Sequence, residues 1–329
     1  MTPLQFEALY QAEWAELELL LDRVLERQRI KLSSAEFEPL SGARVAALYR
    51  RACEQLALAR ARSYPAYIVD RLDRLTADAH QLIYREHDFG LVHVAAMLTT
   101  DFPRAVRHEV RYVAAAAALF MVPTIIVGLM VYWHPELILS VVSPGTAAQF
   151  ERMYSPAAES IGRVREASSD WMMFGFYIRN NIGVAFQCFA GGLFAGLGSL
   201  FFLAYNGAHG GAVAGYLTER GMSSTFYSFV VTHAAFELTA IVLSGAAGLK
   251  IGHALLAPGR RTRRDALVVA TRESAVILYG VTAMLFVAAG IEAFWSSARW
   301  LAPAIKYSVA GACWAAVFAY FILQGRRAA

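Results

Sequence analysis

His233 and Glu237 stand four residues apart in the apolar stretch YSFVVTHAAFELTAIVLSGAAGLKIGHALL. On a helix that spacing puts the imidazole and the carboxylate on one face. A carboxylate at bilayer depth is costly, so such a group turns toward a cavity or a partner. The pair therefore reads either as a polar clamp between helices or as an ion, proton or ligand site, with Glu237 as its titratable group. A second set of polar groups punctuates NNIGVAFQCFAGGLFAGLGSLFFLAYNGAHGGAVAGYL: Asn180, Asn181, Asn206 and His209. Asparagine offers donors and acceptors together and suits places where helical backbone is interrupted inside a membrane. A helix is expected to start at Asn180-Asn181 and to break at Asn206-Gly207, with capping near the interface as the plainer alternative. Asn180, Asn181, Asn206, His209, His233 and Glu237 then form one intramembrane polar site. Two side chains without a third ligand do not make a zinc site, so no metal and no cofactor is expected. Glu292, beside Trp295, reads as interfacial, and Lys250 and His253 as helix-end groups that snorkel or meet the helix dipole.

Small residues accompany the polar ones. Gly207, Gly211 and Gly215 recur at every fourth position, as do Gly192 and Gly196, and Gly248 and Gly252. Stripes of this kind let helix backbones approach closely in a bilayer.

The elements that must carry these groups follow from composition. The chain has 329 residues, 57% of them hydrophobic, with a mean hydropathy of +0.41. That is too apolar for an ordinary soluble protein and predicts several membrane spans. Charge is concentrated in residues 1 to 111, so a soluble N-terminal module precedes a membrane module. The excess charge of +4 is small and lies beside the predicted spans, which argues against nucleic-acid binding. Cys53, Cys188 and Cys313 are far apart and form no metal-binding or redox motif. No signal-peptide pattern opens the chain.

In the N-terminal module, Phe6, Leu9, Trp14, Leu17, Leu20, Leu21 and Val24 define the apolar face of a helix over residues 4 to 29. Ser33 and Glu36 read as a capping box for a second helix to about Arg62. A third is expected from about Ala66 to Glu86, after the break at Tyr64-Pro65. His80, His87 and His93 read as surface or bundle histidines.

The expected fold is all-α: a polytopic helical membrane protein with a cytoplasmic N-terminal bundle, residues 1–103, and a membrane domain, residues 104–329. Spans are expected at about 112–133, 182–205, 226–256, 268–294 and 305–323, with an extracytoplasmic loop over 134–177. The end of that loop, DWMMFGFYI, is aromatic and amphipathic and is expected to lie flat in the interface. Arginines 104, 107 and 111, the cluster Arg260, Arg261, Arg263 and Arg264, and Arg326 with Arg327 all ask to be cytoplasmic. Five simple spans would strand the middle cluster outside. A short or re-entrant helix at 207–217 restores the count and puts both termini in the cytoplasm.

In sequence order, Asn180-Asn181, Asn206-Gly207 and His233 with Glu237 resemble the motifs of the stage II sporulation protein M family of bacterial and archaeal membrane proteins. There an Asn-Asn start, an Asn-Gly break and a Pro-His-Gly-x-x-Glu segment recur. The resemblance runs over residues 100 to 256 and, more loosely, to LYRRACEQLALARA in the N-terminal module. Thr232 and Ala234 stand where the family often has Pro and Gly. It implies a role like that of founding members, which act in engulfment during sporulation as a membrane scaffold for peptidoglycan-remodelling proteins outside. Relatives also occur in organisms that do not sporulate.

The leading functional expectation is thus a non-enzymatic scaffold in the cytoplasmic (inner) membrane, tied to cell-envelope remodelling. Its partners would be membrane lipids, proteins on both faces and a second copy of the chain, a dimer being the default. The alternative is a transporter or channel with its polar site at broken helices. An intramembrane enzyme is the remote third reading, since no nucleotide loop, GxSxG or HExxH motif occurs in the membrane half.

Overall fold

A computed structural model describes residues 1–30, 42–83, 91–157 and 170–326. Among the described residues every regular element is a helix. They separate into two compact units, Met1–His93 and Val94–Ala329.

The first unit is built from α1 (Pro3–Ile30), α2 (Gly42–Ala61) and α3 (Ala66–Ile83). Val45, Leu48, Ala52, Leu56 and Ala59 of α2 recur every three or four residues, as do Ile68, Leu72, Leu75 and Ala79 of α3. That period keeps one stripe of each helix against a shared core with Phe6, Trp14, Leu17 and Leu21 of α1. Leu9, expected on the buried face of α1, is instead 60% exposed. Gln55 is a buried polar side chain in this core: it accepts from Trp14 Nε1 at 2.6 Å and donates to Glu13 Oε2 at 3.0 Å. Tyr49 and His80 share a hydrogen bond of 3.0 Å, so His80 is a bundle histidine. The capping box at Ser33 and Glu36, and His87, lie outside the described residues.

α4 (Leu91–Ala96) leads into the second unit through a π-helical turn, Met97–Asp101, and on into α5 (Phe102–His108). Next come α6 (Val110–Trp133), a 3₁₀ turn (Pro135–Ser140) and α7 (Pro144–Tyr154). They are followed by α8 (Asp170–Ala190), α9 (Leu197–Glu219), α10 (Ser223–Leu256) and α11 (Arg263–Gly290). A second π-helical segment, Ile291–Ser296, extends α11, and α12 (Pro303–Leu323) ends the fold. Among the described residues four helices are long and apolar enough to cross a membrane: α6, α10, α11 with its π extension, and α12. On the outward side of α6, Val122, Ile125 and Ile126 are each more than half exposed. A surface so apolar belongs in lipid.

The expected span at 182–205 is not one helix. α8 begins at Asp170, so DWMMFGFYI is its first half rather than a separate surface helix, and Asn180-Asn181 lie mid-helix. The chain breaks at Gly191–Gly196 instead, through a 3₁₀ turn followed by Ala195 at φ 52° and Gly196 at φ 84°. Groups freed by the break find partners: Ser199 Oγ donates to Cys188 O at 2.6 Å, and Gly196 N to Gly192 O at 3.0 Å. α9 then runs unbroken through Asn206-Gly207 to Glu219. Residues 207–217 are therefore its second half and not a separate short helix. Asn206 stays helical because its Nδ2 donates to the carbonyl of Phe202, one turn back, at 2.7 Å.

Glycines set the packing distance. A Cβ at Gly207, Gly211 or Gly215 would meet the carbonyl oxygens of Phe120, Thr124 and Gly128 of α6 at 2.2, 2.2 and 2.1 Å. The break abuts α10 in the same way: a Cβ at Gly192 would sit 2.1 Å from Gly248 O, and one at Gly252 would sit 2.3 Å from Gly196 N. No side chain larger than hydrogen fits at either seam as it stands.

The connection after α6 is folded onto the bundle. Ile138, Ala147 and Tyr154 join a core with Ala212, Val213, Tyr216 and Leu217 of α9 and Phe226 and Phe229 of α10. Ser143 caps α7, accepting from Thr146 N at 3.2 Å. Tyr216 OH donates to Glu151 at 2.6 Å. At the other end, Arg104 and Arg107 of α5 donate to Gly325 O and Phe321 O at 2.9 and 2.7 Å. These bonds answer carbonyls that the end of α12 leaves open.

Candidate functional site

α10 is apolar through most of its length, so its His233 and Glu237 must be met from neighbouring helices. His233 is buried, and its Nε2 lies 3.9 Å from Glu237 Oε2. The ring's other nitrogen, Nδ1, shares a hydrogen bond of 3.0 Å with Ser296 Oγ. Ser296 and Glu292 both belong to the π-helical segment. One extra residue per turn changes which side chains face inward, and such π segments recur at functional sites. Here Glu292 is brought in, and one ligand-type atom each of His233, Glu237 and Glu292 lies within 4.8 Å of the others.

Two further groups close the cluster. Lys306 of α12 is buried and donates from Nζ to Ser296 O at 2.7 Å, and its own carbonyl accepts from Thr232 Oγ1 at 3.3 Å. Asn181 of α8 is 1% exposed and its amide faces Glu237. Asn181 Oδ1 accepts from Asn180 Nδ2 at 3.0 Å, while Asn181 Nδ2 completes no hydrogen bond.

Of the six polar residues expected to converge, three do so: Asn181, His233 and Glu237. Asn180 reaches the cluster only through Asn181, and its own residue is exposed. Asn206 is occupied by its helix. His209 packs with Tyr205, ring centroids 6.2 Å apart, and Phe150, 6.5 Å apart. Its Nδ1 is buried without a partner in that aromatic setting.

Glu292, Ser296 and Lys306 were missed. Glu292 is half-buried in the cluster rather than interfacial. It supplies the third oxygen or nitrogen donor whose lack argued against a metal. The available signal was the ionisable residues near the facing ends of α11 and α12, but their inward direction depends on the π register.

A second polar knot joins α6, α10 and α11. Lys250 Nζ lies 2.5 Å from Glu109 Oε1 and 2.7 Å from Glu273 Oε2. The side chains of Glu109 and Lys250 are each 12% exposed, and that of Glu273 is 55%. Burial alone would raise Glu109; hydrogen bonds from Lys250 and then His108 outweigh it and hold the carboxyl below its usual range. Tyr112 hydrogen-bonds His253 beside it. Lys250 and His253 are therefore interhelical contacts, not only helix-end groups. They line a cleft of about 240 Å³ with Arg261 and Glu273.

Helices with lipid-facing apolar sides around buried ionisable residues define a polytopic α-helical membrane protein. The family model described as Stage II sporulation protein M matches residues 116–297. That is more than half of the chain, and the chain belongs to this family. Residues 4–85 match a second model, described as a domain of unknown function (DUF8413). Comparison with curated proteins and with solved structures gives no match.

Proposed function

We propose that the chain is a non-enzymatic scaffold of the cytoplasmic membrane that holds protein partners on both of its faces. The observation that carries this reading is the pair of glycine seams. α9 meets α6, and the Gly191–Gly196 break meets α10, at backbone-to-backbone distance over several turns. Alternating access needs one group of helices to rock against another, and seams without side chains to slide on oppose that motion. A fixed frame is what a scaffold requires. The three-helix bundle and the folded 135–154 cap are its docking surfaces.

In this reading α8 and α9 also cross, making six passages. All the arginine clusters then fall on one side, with the N-terminal bundle and the C-terminus, and the cap falls on the other. The buried cluster around Glu237 favours a second reading, ion or substrate movement through the bundle.

Photo-crosslinking in native membranes separates the two. Crosslinkers placed at Leu19 on the bundle and Leu139 on the cap, both more than half exposed, should each give discrete protein adducts. Glu237→Gln should leave those adducts unchanged. Absence of adducts at both positions, together with Glu237-dependent ion flux in vesicles of the purified protein, would reject the scaffold for the transporter.

A further inference from the structure

We propose that the cleft where α10 turns into α11 binds the phosphate of an anionic phospholipid, held by Arg261, His253 and Lys250. The inference needs only that α6, α10 and α11 cross a membrane. It stands whether the chain is a scaffold or a transporter.

The cleft lies where three helices end. Tyr112 is in the first turn of α6, His253 in the last turn of α10, and Arg261 in the turn before α11. The ends of membrane-crossing helices stand at headgroup level. The walls of the cleft divide by chemistry. Lys250, His253 and Arg261 offer N–H donors, while Ala266, Val269 and Ala270 of α11 offer hydrocarbon. Leu256 and Val268, each next in sequence to a lining residue, are 68% and 42% exposed. An acyl chain needs such a surface beside its phosphate, and dissolved phosphate has no use for one. The volume of about 240 Å³ is below the roughly 300–1,000 Å³ of pockets for whole small molecules, and it suits one headgroup.

The turn fixes its donor. Gly259 takes φ 64°, and Arg261 N donates to Pro258 O at 3.3 Å. Thr262 then caps α11, accepting from Asp265 N at 3.1 Å. A guanidinium carried on so short a turn can meet two phosphate oxygens at once. Tyr112 occupies Nδ1 of His253, which leaves Nε2 for a ligand. An ammonium has three donors. Lys250 spends two, on Glu109 at 2.5 Å and Glu273 at 2.7 Å, and keeps one.

Charge favours an anion. Both acids at the floor are met by Lys250, and Glu109 also by His108 Nδ1 at 2.9 Å. Asp265, the acid of the first turn of α11, accepts from Thr262 Oγ1 at 2.7 Å. Against these stand Arg261 in the cleft and Arg260, Arg263 and Arg264, all exposed within three residues of it. Basic pockets between membrane helices take anionic headgroups. Glu273 competes with the phosphate for Lys250, so removing its charge should strengthen binding.

The test uses full-length protein purified in detergent and stripped of lipid. Thermal melts are recorded with phosphatidylglycerol, phosphatidylcholine, glycerol 3-phosphate or inorganic phosphate added singly. Phosphatidylglycerol should raise Tm by several degrees through binding to the folded state, and the other three should not. Arg261→Gln should melt like the wild type in detergent alone and lose most of the lipid shift. Arg260→Gln, outside the cleft, should keep most of it, and Glu273→Gln should keep or enlarge it. Equal shifts with the two lipids would overturn the proposal, as would a full shift in Arg261→Gln. A shift with inorganic phosphate that the lipid does not exceed would also overturn it, in favour of a soluble phosphate. If Arg261→Gln does not fold, photoactivatable phosphatidylglycerol on the wild-type chain decides. Adducts within residues 250–273 support the site, and adducts only elsewhere remove it.

Discussion

Gly211→Ala should severely destabilise the membrane unit, while Gly210→Ala, one residue earlier, should leave it intact. The new methyl at 211 would sit 2.2 Å from the carbonyl oxygen of Thr124, and the obstacle is backbone that cannot rotate aside. α6 and α9 would have to separate along the whole stripe, because Gly207 and Gly215 are seated on the same helix in the same way. Overpacking of a closed core costs about 1–3 kcal/mol when side chains can adjust, and this site, where they cannot, should reach or exceed the upper end. At Gly210 a Cβ would meet nothing within 4 Å. There the substitution removes only the flexibility of a mid-helix glycine, worth about 0.5–1 kcal/mol in favour of alanine. Tm of the two purified variants in the same detergent checks the contrast. Equal behaviour would mean that the seam is looser than its geometry.

Lys250→Met should be the most damaging single change at the α6–α10–α11 knot. It leaves Glu109, with 12% of its side chain exposed, facing the half-exposed Glu273 with no cation between them. Removing one partner of a buried pair costs about 3–5 kcal/mol where the remaining charge is left uncompensated, and here the His108 imidazole, 2.9 Å from Glu109 Oε1, is the contact that stays. The part due to Glu273 should be small, since water screens it. The double variant Glu109→Gln, Lys250→Met should recover most of the loss. The pH dependence has a fixed sign. Glu109 is held below its reference value of 4.5 in the folded chain, so the unfolded chain takes up its proton first. The stabilisation is complete above about that reference and is lost as pH falls through the lower folded value. Thermal melts over an acid series should show this limb in the wild type and a flatter one in Glu109→Gln.

The long apolar helices were legible because composition and length alone decide what can enter lipid, and α6, α10, α11 and α12 all follow that rule. The glycine stripe of α9 was legible for a related reason, since a four-residue period has a direct meaning on a helix. The break was misplaced. Asn206-Gly207 looks like a helix breaker by propensity, yet in an apolar bundle the asparagine bonds its own helix. The true break at Gly191–Gly196 depends on the backbones of Gly248 and Gly252, more than fifty residues away. The polar cluster was half legible. His233 and Glu237 share a face by spacing, but Glu292 and Ser296 reach them only after a π turn that no periodicity announces. Lys306 arrives from a different helix altogether.

The rigidity of the membrane unit is the claim on which the scaffold reading rests, and it can be measured. Spin labels at Met121 on α6 and Phe286 on α11, both on exposed faces, report the distance between the two sides of the bundle in lipid vesicles. The account predicts one narrow distance distribution that is the same at acidic and neutral pH. Two populations whose ratio changes with pH would show a bundle that rocks about its seams, and would contradict the scaffold in favour of transport.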